Sequence, residues 1–146
     1  MKVRTLLLAF AAGLAFLARP LPAYDNFKVA VYTRAYETAK MADPAWLDEH
    51  WGRISRQLHV DKIYLETHRD GVIVDEALLE RLKKYFNDRG VQVAGGITYT
   101  IDEPNRFQTF CYSDPVQRAK AKQIAELTAR HFDEIILDDF FFTSCK

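Results

Sequence analysis

Segments with two different hydrophobic rhythms alternate along this chain, and that alternation restricts its fold more than any other feature. Short β-rich runs stand at residues 27–32 (Phe-Lys-Val-Ala-Val-Tyr), 62–66 (Lys-Ile-Tyr-Leu-Glu), 91–97 (Val-Gln-Val-Ala-Gly-Gly-Ile) and 135–137 (Ile-Ile-Leu). Between them lie stretches whose apolar residues recur at helical spacing. Trp46, Leu47, Trp51, Ile54 and Leu58 mark the first, and Leu78, Leu79, Leu82, Tyr85 and Phe86 the second. Val116, Ala119, Ile124, Leu127 and Ala129 mark the third. Asp43-Pro44 and Asp114-Pro115 pair an N-cap with a proline suited to the first helical position, Asp75 is a third cap, and Gly90 is a C-terminal stop.

Strands that alternate with helices predict a parallel sheet built from right-handed crossovers. The predicted class is α/β: three βα units and a fourth strand, about half of a TIM (β/α) barrel over residues 24–146. A small, complete, open doubly wound sheet is the alternative. The half barrel is favoured because no helix follows the fourth run, which would leave Phe140, Phe141 and Phe142 near an unpaired terminus. Its missing C-terminal half is then the first partner the chain needs.

Lys2 and Arg4 precede an apolar run at residues 6–18, which Arg19-Pro20-Leu21-Pro22-Ala23 breaks. That pattern is a secretory signal peptide over residues 1–23, and it places the domain in the periplasm or outside the cell. The run is short for a membrane span, which takes about 20 apolar residues, so no span is expected after signal removal. An uncleaved anchor is the alternative. In an oxidising compartment Cys111 and Cys145 can bridge, since both fall at the ends of neighbouring strands. Two unrelated thiols, or a distant partner for Cys145, remain open.

Lysine and arginine number 20, aspartate and glutamate also 20, and the formal net charge is zero. Nothing in that balance favours nucleic acid, which selects clustered positive charge. The cysteines and histidines match no zinc spacing, and neither a phosphate-binding glycine loop nor a nucleophilic serine motif is present, so no metal or cofactor is expected.

In parallel sheets ligands meet the carboxyl ends of the strands. There the first strand offers Tyr32, Arg34, Tyr36 and Glu37. The second offers Glu66, His68, Arg69 and Asp70, and the third Thr98, Tyr99, Asp102, Glu103 and Arg106. The fourth ends in Asp138 and Asp139. Carboxylates, arginines and aromatics converging on a cleft suit a carbohydrate, and a carboxylate pair can perform glycosidic acid/base work. Asp138 and Asp139 are the candidate catalytic acids, although adjacent strand residues point to opposite faces and only one can look inward. Glu66, Arg34, Tyr99, His68 and Tyr32 are the candidate substrate contacts; for Arg34 the competing role is a structural salt bridge, and for Tyr32 and Tyr99 it is packing, with their hydroxyls at the rim. For Glu66 the competing role is an ion pair across the strand ends, for instance with Arg34. His68 is expected in a surface loop.

Residues 132–139, Phe-Asp-Glu-Ile-Ile-Leu-Asp-Asp, resemble the fourth strand of TIM-barrel glycoside hydrolases, often Phe-Asp-Gly-apolar-x-apolar-Asp. Asp133 falls on the early aspartate and Asp138 on the later one, where several families keep a nucleophile or a stabilising acid. The resemblance implies a carbohydrate substrate or ligand. The chitinase-like branch has further acids where this chain has Ile136 and Phe140, and Glu134 replaces the usual glycine, so that branch's mechanism does not transfer. The resemblance implies a partner acid on a later strand and an inactive fragment. A non-catalytic carbohydrate-binding or scaffold protein is the rival.

Overall fold

A computed structural model describes residues 27–138 together with Phe142, Thr143 and Cys145. The elements in chain order are β1 (Ala30–Thr33), α1 (Ala35–Lys40), α2 (Pro44–Ser55), β2 (Lys62–Arg69) and β3 (Val72–Ile73). There follow α3 (Glu76–Asn87), β4 (Gln92–Ile97), β5 (Thr100–Asp102), β6 (Gln108–Thr109), α4 (Pro115–His131) and β7 (Ile135–Leu137). The main sheet runs β1-β2-β4-β7 with every neighbour parallel, and β3 pairs antiparallel with the end of β2. β5 and β6 form a separate antiparallel hairpin. The α/β class with a mostly parallel sheet is therefore present.

The helices begin where their caps are. Asp43 accepts from the Ala45 amide at 2.9 Å, Asp75 from Leu78 at 2.9 Å, and Asp114 from Val116 at 2.8 Å and Gln117 at 3.2 Å. Each satisfies amides that a helix start leaves without intrahelical partners. Past α3 the chain reverses at Gly90, whose φ of +77° would strain an L side chain.

Apolar residues of α2, α3 and α4 pack against one face of the sheet. Leu47, Leu79, Leu82, Phe86 and Leu127 meet Val31, Ile63, Leu65 and Val93, while Ala121 and Ile124 meet Ile97. Each such side chain, fully buried, contributes roughly 1.5–3 kcal/mol before chain entropy is set against it. Strand alternation sends Tyr32, Lys62, Tyr64, Glu66 and Gly96 to the opposite face, which is polar.

The two glycines of β4 serve one face each. A Cβ on Gly95 would lie 2.7 Å from both Phe132 and Thr128, so its absence lets the end of α4 close on the sheet. A Cβ on Gly96 would lie 2.8 Å from the Tyr32 ring and hydroxyl, so its absence lets that tyrosine lie across the other face.

Residues 1–23, read as a signal peptide, lie outside the described residues, as does Asp139. No helix among the described residues is long and apolar enough to cross a membrane.

Candidate functional site

At the carboxyl end of the sheet, on the polar face, three carboxylates converge on one guanidinium. Arg69 donates from Nε to Glu66 Oε2 at 2.9 Å and from Nη2 to Glu66 Oε1 at 2.9 Å, a bidentate pair. The same Nη2 reaches Asp138 Oδ2 at 2.8 Å and Thr98 Oγ1 at 2.9 Å, and Nη1 is bonded to Glu103. Thr98 Oγ1 also lies 3.0 Å from Asp138 Oδ2 and is bonded to Glu66. A threonine hydroxyl has a single proton, so it serves one of those carboxylates at a time.

A β-bulge makes this convergence possible. Residues 66 and 69 of a regular strand point to opposite faces. Here the register with β4 slips between Glu66 and His68: Glu66 pairs with Gly96 and His68 with Ile97. The extra residue is Thr67, whose hydroxyl bonds Thr128 of α4 at 2.6 Å. The slip returns Arg69 to the face that holds Glu66.

Glu66 is completely buried. It accepts from Tyr32 Oη at 2.7 Å, the Ala35 amide at 2.6 Å, both Arg69 nitrogens and Thr98. A carboxylate offers about four lone-pair positions, and the four donors other than Thr98 already fill them. The expectation that Glu66 contacts substrate is corrected accordingly: it is an internal anchor. Its partner is Arg69, not Arg34.

The other expected residues divide cleanly. Tyr32 joins the cluster through its hydroxyl, and its pKa is raised by burial and then by the hydrogen bond to Glu66. Arg34 stands outside it, more than half exposed and paired with Glu37 at 2.8 Å. Tyr99 turns to the helix-packed face, where its hydroxyl meets the Ala121 carbonyl at 3.3 Å and its ring packs on Phe110 and Tyr112. Its contact role is corrected because the side chain is directed away from the cluster. His68 is a buried strand residue and not a loop residue, with Nδ1 2.7 Å from the Thr98 carbonyl and its ring beside Phe110. Burial depresses its pKa, so it is neutral near pH 7 and faces away from the cluster.

Arg69, Thr98 and Glu103 complete the site without having been singled out from the sequence. Burial works against the charge of Arg69, but the hydrogen bonds it donates to Glu66 and Glu103, the charge of Glu66 and the bond to Asp138 outweigh it and raise its pKa. Glu103 belongs to the hairpin segment that follows β5, and its amide donates to Asp70 at 3.1 Å. Cys111 and Cys145 are joined by a disulfide, which ties the segment after β6 to the chain beyond β7. Among the described residues no group of three or more His, Cys, Asp or Glu is arranged to hold a metal ion.

Side-chain exposure separates the three acids: 0% for Glu66, 22% for Glu103 and 31% for Asp138. Asp138 is therefore the most accessible carboxylate of the cluster. Its amide donates to the Ile97 carbonyl at 2.9 Å, so strand pairing persists to its backbone and fixes the direction of its side chain.

A family model described as "Probable glycosyl hydrolase, catalytic domain" matches residues 18–146. An uncharacterized protein of Saccharolobus solfataricus is 36% identical over 97 residues, which covers 62% of this chain and 16% of that protein. The chain thus spans well under two thirds of that relative's length. No solved structure matches the chain.

Proposed function

From the premise that this chain belongs to the probable glycosyl hydrolase catalytic domain family, we propose that it forms half of an exported (β/α) barrel, with Asp138 as a carbohydrate-facing carboxylate. The family implies a carbohydrate substrate. The winding of the sheet supports the barrel: four parallel strands lie in sequence order with α2, α3 and α4 packed on one face. A doubly wound sheet places helices on both faces. A barrel keeps them outside and turns the other face inward.

The observation that carries the function is the placement of Asp138. It ends the fourth parallel strand on the face opposite α2, α3 and α4, part-exposed, with Oδ2 bonded to Arg69 Nη2 and 3.0 Å from Thr98 Oγ1. In this reading Asp138 acts as nucleophile or charge-stabilising acid. A second carboxylate, contributed by another part of a longer polypeptide, completes the hydrolytic pair. The leader at residues 1–23 directs export.

Glu66 is withdrawn from the chemistry and serves to hold Arg69. A second reading, saccharide binding without hydrolysis, draws on the same geometry. Arg69 engages the carboxylate oxygen that chemistry would use.

Release of reducing ends from neutral oligosaccharides, compared between the intact protein and the 146-residue chain, tests the proposal. Turnover by the intact protein only is expected. Binding by the intact protein with no turnover selects the second reading. Equal turnover by the 146-residue chain rejects the missing-acid part of the proposal.

A further inference from the structure

Arg69 has no role in the reading above, yet it is the side chain of the cluster that joins all three carboxylates. Its three nitrogens reach three carboxylates that belong to three separate parts of the fold: Glu66 on β2, Glu103 after β5, and Asp138 after β7. Glu66 is wholly buried and bonded to Tyr32 and to the Ala35 amide as well, so it cannot follow a movement of either other acid. The guanidinium is planar, and its Nε and Nη2 are locked by the bidentate pair. The direction of Nη1 toward the hairpin, and of Nη2 toward Asp138, is then fixed with no freedom left.

We propose that Arg69 is a positioning residue: anchored on buried Glu66, it sets Asp138 and the Glu103 hairpin in one fixed mutual orientation. The inference rests on the reading of Asp138 as the working carboxylate, and it adds a division of labour. Glu66 holds the fork, the fork aims Asp138, and the hairpin is drawn over the strand ends through Glu103. Lysine cannot substitute. A single ammonium has no planar fork and cannot span three acids in this geometry.

The test uses the intact protein, a panel of 4-nitrophenyl glycosides, and the variants Arg69→Lys and Arg69→Ala. For Arg69→Lys, kcat is expected to fall on the order of 10²-fold with KM changed by less than about threefold, because a misplacement of about 1 Å costs that much in rate. Methylguanidinium added to Arg69→Ala is expected to restore part of the lost kcat. A purely structural role leaves a different signature: both variants lose thermal stability, the folded fraction keeps its kcat, and methylguanidinium recovers nothing. That result overturns the proposal.

If the wild-type protein cleaves none of the glycosides, the hydrolytic reading fails separately, and crystal structures of the wild type and of Arg69→Lys decide the positioning claim. Displacement of both the Asp138 carboxylate and the hairpin in the variant supports it. Unchanged placement of either one overturns it.

Discussion

Replacing Gly96 by alanine probes the polar face with a single methyl group. The new Cβ would stand 2.8 Å from Tyr32 Cε2, 2.8 Å from Tyr32 Oη and 3.0 Å from Cζ, all well inside ordinary contact distance. Two responses are open to the tyrosine. Staying in place strains the sheet, at roughly 1–3 kcal/mol for an overpacked methyl. Swinging away by about 1 Å carries the hydroxyl, now 2.7 Å from Glu66 Oε1, out of hydrogen-bonding range. That loss costs about 1.5–3 kcal/mol for a bond to a charged partner.

Both routes converge on about 2 kcal/mol, to be read from the urea midpoint at unchanged m-value. The cycle with Tyr32→Ala isolates the cause. In that background the methyl meets no ring, and its cost is expected to fall below about 0.5 kcal/mol, a coupling of 1 kcal/mol or more. Gly95→Ala is the control for the other face. Its Cβ meets Phe132 and Thr128 at 2.7 Å, so it should destabilise equally in either background. A Gly96→Ala variant as stable as wild type, or one whose cost persists unchanged without the Tyr32 ring, would refute the packing of Tyr32 over Gly96.

Two further outcomes follow from the structure. His131 lies 2.6 Å from Glu80 and 2.7 Å from Glu76, and these bonds, Glu80 foremost, raise its pKa above the ordinary 6.5. A raised histidine stabilises the fold fully below its unfolded pKa and ceases to do so as pH climbs through the folded value. His131→Gln should therefore cost more stability at pH 5.5 than at pH 8.5, and an equal cost at both would remove the ion-pair explanation. Reduction of Cys111–Cys145, whose residues are 34 apart, should cost about 2–4 kcal/mol, with faster amide exchange concentrated in residues 100–112. Exchange unchanged in that segment would show that the bridge does not hold the hairpin.

The sequence is most informative where structure is local. Asp43-Pro44, Asp75 and Asp114-Pro115 announce three helix starts, and all three acids cap the helices that follow them. The double glycine at 95–96 signals close approach, and both faces of β4 use it. Short α1 had no such signal. Its first amide is satisfied by Glu66, 31 residues away, and a contact of that separation leaves no local trace.

The site was legible in part for the same reason. Asp138 ends an apolar strand and can be found by pattern alone. Arg69 and His68 exchange faces because of the bulge at Thr67, which depends on pairing with β4 and not on anything in β2 itself. Counting alternate residues from Glu66 puts His68 in the cleft and Arg69 outside it, the reverse of what is found. Tyr99 is different, since Thr98 and Tyr99 are neighbours at the end of a strand and only one of them can face inward.

The rates of Asp138→Asn and Asp133→Asn in the intact protein, measured side by side on whichever saccharide it cleaves, bear most directly on the proposed function. The two aspartates flank the same strand at opposite ends, and Asp133 is exposed beyond the amino end of β7. Asp138→Asn is expected to lower kcat/KM by on the order of 10³-fold or more with folding intact, as for loss of a reacting or charge-stabilising group, and Asp133→Asn to stay within about twofold of wild type, as expected of a surface substitution. Equal rates for both variants, near that of the wild type, would contradict the placement of the chemistry at the carboxyl end of the fourth strand.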